Sequence, residues 1–236
     1  MDANIGLSVL IAAKDEELSI AEVVQSHFSV LQASQYPINW DIGVLDDGSS
    51  DRTFTVLTEL QKLFPALKIW HNESPSGIAN AFKQLAANAQ HEWIYITSGD
   101  GQFPAAALDL MIKAWIMNPI TTLGVRTTRF TSYGSMRSLI SRVYKIATKM
   151  IFKIDLRDPG SVKIIKRELA LSPIRSKSTM RDAELLAIAH KKYGGIQFVT
   201  IPFFTRKFGK ANGVRLKNIA SNLCDLIILA LYSRSK

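Results

Sequence analysis

Four times within its first 118 residues the chain passes from a short apolar run to an amphipathic stretch, and no other feature restricts its fold so strongly. The runs are Leu7–Ala12, Ile42–Leu45, Leu67–Trp70 and Trp93–Thr97. Runs of Val, Ile and Leu without polar alternation mark strands covered on both faces, as parallel sheets require. After the first run Ile20, Val23, Val24, Phe28 and Leu31 recur at helical spacing. Comparable stretches run from about Arg52 to Phe64, from about Ser76 to Ala89, and onward from Pro104, a residue suited to a first helical turn. Strand and helix repeated in this way predict an α/β fold, a doubly wound, mostly parallel sheet flanked by helices.

Beyond Asn118 the alternation loosens. Strands are expected at Thr121–Val125, Val162–Ile165 and Gln197–Ile201, a polar loop at Arg126–Gly134 and a helix near Arg181–Lys192. Two amphipathic helices are expected in the C-terminal half, Ser138–Lys153 and one from about Val214 to Tyr232. In the first, Leu139, Ile140, Val143, Tyr144, Ile146, Ala147, Met150 and Ile151 are expected on one face, with Arg142, Lys145, Lys149 and Lys153 on the other. Such a helix packs on a core or lies on a membrane.

With 236 residues, 47% of them hydrophobic, the chain can bury a substantial core. No stretch approaches 18 uninterrupted apolar residues, and MDANIGLSVLIAAKDEE lacks the basic region and cleavage site of a signal peptide. The expectation is a cytoplasmic protein without a spanning helix. Cys224 stands alone, which sets aside disulfides and cysteine-based zinc sites, and His27, His71, His91 and His190 lack metal-ligand spacing. Charge is divided unevenly: residues 1–136 hold eight Lys/Arg against fourteen Asp/Glu, residues 137–236 twenty-one against six. A basic half fits anionic lipid or phosphorylated substrates. Nucleic acid is not expected as a partner, because no recognisable module interleaves these cations with aromatics.

Two of the apolar runs end on acids, in LDDGSSDRT (Leu45–Thr53) and ITSGDGQFP (Ile96–Pro104). In an open α/β sheet ligands bind beyond the carboxyl ends of the strands, so paired acidic ends point to a nucleotide and a metal. Alone, each string also reads as a helix-capping turn.

Taken with SVLIAAKDEE, GIANAFKQLAANA and the late IPFFTRKFGK, these strings resemble family 2 glycosyltransferases from about Ser8 to Asn212, in the branch of dolichyl-phosphate mannosyltransferases and bacterial polyprenyl-phosphate glycosyltransferases. The resemblance implies a glycosyltransferase A-type fold over residues 1–212, with 213–236 as a C-terminal amphipathic helix. It also implies inverting sugar transfer from a nucleotide diphosphate to polyprenyl phosphate or a saccharide, at the inner face of the cell membrane. In the family pattern Asp47 accepts hydrogen bonds from the base with Leu45 beside it, and Glu16 lies near the nucleoside. A carboxylate is an acceptor that matches ring N–H donors. Ala12 and Lys14 fall where the family has Pro and a base-stacking Tyr.

Ser98, Gly99, Asp100 and Gln102 stand at the family's Asp-x-Asp motif, with Asp100 the ligand expected for Mg²⁺ or Mn²⁺ and Ser98 replacing the first acid. Arg126 and Arg206, the latter with Gly209, match arginines that reach donor or acceptor phosphates, a role suited to fork-like donors. Lys210 is a weaker candidate beside the aligned Asn212. Asp158 and Glu184 lie where a carboxylate would deprotonate a hydroxyl acceptor, a step that a phosphate acceptor does not need.

Overall fold

The structure, a computed structural model, describes residues 5–127 and 135–208, apart from 177 and 179 and the side chains of 135–143, together with Asp225 and Leu229. The chain runs β1 (Gly6–Ala13), α1 (Ile20–Gln32), β2 (Asn39–Asp46), α2 (Thr53–Leu63), β3 (Leu67–His71), α3 (Ile78–Asn88), β4 (Trp93–Ser98) and α4 (Ala105–Met117). It continues through β5 (Thr122–Arg126), α5 (Ser135–Phe152), β6 (Lys163–Lys166), α6 (Arg167–Leu171), α7 (Met180–Tyr193) and β7 (Gln197–Ile201).

The strands form one seven-stranded sheet in the order β3-β2-β1-β4-β6-β5-β7. All neighbours pair in parallel except at β6, which runs antiparallel to both β4 and β5. The expected doubly wound, mostly parallel α/β sheet is therefore present. The period of two along β1 explains why it must be covered twice. Leu7, Val9 and Ile11 pack with Ile20, Val24, Leu57, Leu108 and Met111 of α1, α2 and α4. Leu10 and Ala12 face the opposite way, against Ala81, Leu85, Ala183 and Leu186 of α3 and α7. Burial of that apolar surface is the main favourable term holding the layers together.

Register places the functional ends level. Ala12 lies opposite both Leu45 and Ser98, and Ala13 opposite Asp46. The ladders run one step past the strands, with Asp47 N–H donating to Ala13 O, Gly99 N–H to Ala12 O and Asn72 N–H to Asp46 O, each at 2.9 Å. β2 and β3 extend from one side of β1 while β4 lies on the other, so the winding direction reverses at the β1/β4 boundary. A crevice opens at such a reversal.

One sequence expectation changes and one element is new. Helix α6, five residues long, is too short to show a periodicity. Ile146 and Met150 do not join the covered side of α5: they are 60% and 75% exposed and share the outer face with Lys145, Lys149 and Lys153. At 100° per residue that face spans 145, 146, 149, 150 and 153, while the buried Thr148 and the half-buried Tyr144 and Phe152 point inward. Finally, the C-terminal helix expected near 214–232 lies outside the described residues except for Asp225 and Leu229, which are helical and buried.

Candidate nucleotide-sugar site

The loops that follow β1, β2 and β4 enclose a cleft of about 700 Å³, lined by Ala12, Lys14, Glu16, Asp47, Ser98, Asp100 and Arg206 among others. Seven sequence-selected residues are thus brought to one place. Pro75, Ile78 and Ala81 supply an apolar wall at the start of α3.

Two glycines permit the close approach of the loops. A Cβ at Gly48, whose φ is +68°, would come within 2.6 Å of Pro75 N and the Ser74 carbonyl carbon. A Cβ at Gly99 would meet the Ile20 side chain at 2.8 Å and the Ala13 methyl at 3.1 Å.

The DGSSDRT string works as a clasp on the first loop. Ser49 Oγ accepts from Asp15 N–H at 2.9 Å, Thr53 Oγ1 from Glu16 N–H at 2.8 Å and Asp51 Oδ2 from Glu17 N–H at 3.1 Å. In return Asp15 Oδ1 accepts from Ser50 N–H at 2.7 Å and Glu17 Oε2 from Arg52 N–H at 3.1 Å. These reciprocal bonds fix Lys14–Glu17 beside the cleft and hold Asp15 at its φ of 54°. Burial raises the Asp51 carboxyl, but hydrogen bonds from the Thr53 hydroxyl and the Thr53 and Glu17 N–H groups outweigh it and hold the group below its ordinary value.

Asp47 is 4% exposed and is gripped by the loop between β3 and α3. Oδ1 accepts from Asn72 Nδ2 at 2.8 Å, Ser76 N–H at 2.8 Å and Ser76 Oγ at 2.7 Å, and Oδ2 accepts from Gly77 N–H at 2.8 Å. Burial pushes this carboxyl up, yet the four donors prevail and its pKa lies below the ordinary value. Sequence reasoning did not find Asn72 and Ser76. The visible signal was their place directly after a strand whose end is level with Asp46.

At the end of β4, Asp100 Oδ1 accepts from Ser98 Oγ at 2.8 Å and from Gln102 N–H at 3.1 Å. Ser98 thus steadies the acid. No group of three His, Cys, Asp or Glu gathers among the described residues. One carboxylate and a hydroxyl on the cleft wall nevertheless fit Mg²⁺ or Mn²⁺, since Mg²⁺ is commonly held by one or two carboxylates with the rest of its shell from substrate phosphates and water.

Arg206 reaches the cleft from the segment after β7. Nη2 donates to Glu16 Oε1 at 2.6 Å and Nε to Phe208 O at 2.6 Å. Glu16 is pushed above its ordinary value by burial. The Arg206 charge and the Ser19 hydroxyl oppose that shift, and the nearby Asp100 carboxylate adds to it. Gln102 anchors the same segment with two bonds: its carbonyl accepts from Phe204 N–H at 2.9 Å and Nε2 donates to Phe204 O at 3.3 Å.

Leu45, Gly99, Gln102, Arg126 and Asp158 do not line this cleft. Leu45 is 1% exposed and packs in the core below. Arg126 and Asp158, expected separately as a phosphate ligand and a base, pair with each other. Nε donates to Asp158 Oδ2 at 2.7 Å and Nη2 to Oδ1 at 2.6 Å, and the guanidinium lies 4.9 Å from the Phe203 ring centroid. Glu184 spends Oε1 on Arg175 N–H and Oε2 on the Ser176 N–H and hydroxyl, closing the loop before α7. Gly209, Lys210 and Asn212 lie outside the described residues.

Comparisons with known proteins agree with this architecture. The pattern described as glycosyl transferase family 2 matches residues 8–170. Beta-monoglucosyldiacylglycerol synthase of Trichormus variabilis is 31% identical over 123 residues, 51% of this chain and 25% of that protein. Dolichol-phosphate mannosyltransferase of Pyrococcus furiosus is 25% identical over 217 residues, 87% of this chain and 58% of its own length. Glucosyl-3-phosphoglycerate synthase of Mycobacterium tuberculosis, solved with Mn²⁺, UDP-glucose and phosphoglyceric acid, matches 97% of this chain and 79% of its own with a TM-score of 0.69 at 16% identity. At that identity the likeness is one of fold.

Proposed function

Because the chain belongs to glycosyl transferase family 2, we propose that it transfers a sugar from a nucleotide diphosphate to a polyprenyl phosphate with inversion at the anomeric carbon. The observation that carries the reading is the convergence of Asp47, Asp100, Glu16 and Arg206 on one cleft at the β1/β4 reversal. Asp47 would receive the base, and Arg206, held over the cleft by Glu16, would face the diphosphate. Asp100 with Ser98 would hold a Mg²⁺ or Mn²⁺ ion, whose charge offsets that of the departing diphosphate. An acceptor phosphate oxygen attacks the anomeric carbon opposite the leaving group. One carbon–oxygen bond forms as the bond to the nucleotide breaks.

The two candidate bases bear on the nature of the acceptor. A saccharide hydroxyl must lose a proton, but Asp158 gives both oxygens to Arg126 and Glu184 gives both to the loop at 175–176. A phosphate acceptor is already an anion and asks for no base. The exposed Ile146 and Met150 amid Lys145, Lys149 and Lys153 support docking of α5 on an anionic bilayer, at the cytoplasmic face of the membrane. No described helix is long and apolar enough to cross a membrane.

The test is a screen of sugar nucleotides against polyprenyl phosphate and oligosaccharides, with and without Mg²⁺ or Mn²⁺, reading nucleoside diphosphate release. Release that depends on polyprenyl phosphate is expected. Release only with a saccharide would favour the hydroxyl acceptor, and donor binding without any release would make the chain a nucleotide-sugar-binding protein.

A further inference from the structure

The grip on Asp47 leaves it less hydrogen-bonding capacity than a free carboxylate. A carboxylate offers about four lone-pair positions, two on each oxygen. Oδ1 already accepts three bonds, from Asn72 Nδ2, Ser76 N–H and Ser76 Oγ, all between 2.7 and 2.8 Å. Oδ2 accepts one among the described residues, from Gly77 N–H at 2.8 Å. Oδ1, with three donors on it, is therefore crowded beyond its two lone pairs, and the side of the carboxylate still open to a further donor is Oδ2, in a residue that lines the cleft with the apolar Pro75 and Ile78.

We infer that Asn72 and Ser76 are specificity-determining residues, which fill Asp47 Oδ1 and so restrict the donor to a base with a single imide N–H, uracil or thymine. The inference rests on the donor-site reading above and adds the identity of the base. Uracil and thymine present one ring N–H between two carbonyls, which one oxygen satisfies. Guanine presents a ring N–H and an exocyclic N–H side by side, and a carboxylate meets that pair only with both oxygens. With Oδ1 saturated, one guanine donor would enter the cleft unpaired, and sites built on hydrogen bonds discriminate strongly when a partner is left unmet. Adenine and cytosine can place one exocyclic N–H on that oxygen, but only by bringing the adjacent ring nitrogen lone pair up to the carboxylate, which repels it.

Asn72 and Ser76 act through Asp47, and they are positioning residues whose effect should appear as a change in base preference. Calorimetry with UDP, dTDP, GDP, CDP and ADP in Mg²⁺ tests this on the parent and on the double variant Asn72→Ala/Ser76→Ala. In the double variant the Ser76 and Gly77 N–H groups still hold Asp47, while Oδ1 regains an open position. UDP and dTDP should bind the parent at least tenfold more tightly than GDP, CDP or ADP. The double variant should retain UDP binding while its preference for UDP over GDP falls several-fold. GDP binding the parent as tightly as UDP would overturn the base assignment and leave the donor site standing. An unchanged preference in the double variant, or its loss of all nucleotide binding, would overturn the role given to Asn72 and Ser76. Failure of every nucleotide to bind the parent would remove the donor-site reading and this inference together.

Discussion

Asp158 separates a structural reading of the site from a catalytic one. Its side chain is 1% exposed and that of Arg126 12%, so the bidentate pair between them is shielded from solvent screening. Removing one partner of a buried pair typically costs about 3–5 kcal/mol, whereas replacing both by apolar groups is often near neutral. Asp158→Ala should therefore lose about 3–5 kcal/mol of stability. Arg126→Met/Asp158→Leu should recover most of that, since the Phe103 and Phe203 rings that flank the guanidinium can pack against a thioether instead. Urea unfolding followed by tryptophan fluorescence measures both. Asp158→Asn, which keeps the shape and one acceptor, should retain turnover per folded molecule. A general base would behave otherwise, with kcat falling by about 10²–10⁴ at unchanged stability. The reasoning fails if Asp158→Ala costs less than about 1 kcal/mol, as an exposed ion pair would, or if Asp158→Asn is fully folded and nearly inactive.

Three further outcomes are expected. His27 is fully buried with Nδ1 bonded to Val23 O at 2.8 Å, and burial lowers its pKa from 6.5 to about 4. The folded state then binds fewer protons than the unfolded one, so stability should be full above about pH 6.5 and fall by up to about 3 kcal/mol as pH drops towards 4; a His27→Gln variant that keeps the same slope in chemical denaturation would refute this. Asp100→Ala should abolish the metal dependence of nucleotide binding while leaving the circular dichroism spectrum unchanged, and Ser98→Asp should preserve or tighten metal binding; calorimetry with Mn²⁺ and UDP checks both. On vesicles of anionic lipid the protein should co-sediment at low salt and be released by salt. Lys145→Gln/Lys149→Gln/Lys153→Gln should weaken that binding at about 1 kcal/mol per charge, as should Ile146→Asp/Met150→Asp, and a protein that stays in the supernatant would sink the membrane reading.

The sheet was legible because its strands announce themselves locally. Gln197–Ile201 coincides with β7, and the apolar runs at Leu7, Ile42, Leu67 and Trp93 each lie within a strand. Level strand ends follow from register, and they bring Asp47 and Asp100 to one cleft. What escaped was pairing across distance. Nothing near Arg126 in sequence announces Asp158, 32 residues away, so the sequence suggests separate duties for two groups that bond to each other. The outer face of α5 is hidden from the sequence for a related reason. Hydropathy ranks Ile146 and Met150 as interior residues, but only the packing of Thr148 and Tyr144 against the domain fixes which arc of the helix turns inward. Asn72 and Ser76 belong to an unremarkable polar loop until β3 is paired with β2.

The bond from Arg206 to Glu16 joins residues 190 positions apart, and the Gln102–Phe204 pair spans 102. The acidic lining of the cleft is thus encoded in the first 100 residues together with Lys14, while the arginine that closes it arrives at position 206. During synthesis the first four strand–helix units can dock as they emerge, but they form an incomplete vessel that has carboxylates and lacks the arginine. Contacts of such separation form late, because the loop they close carries the largest entropic cost. The growing chain should consequently pass through most of its synthesis unable to retain a polyanionic nucleotide, and acquire that ability in a single late event when β7 joins the sheet edge beside β5.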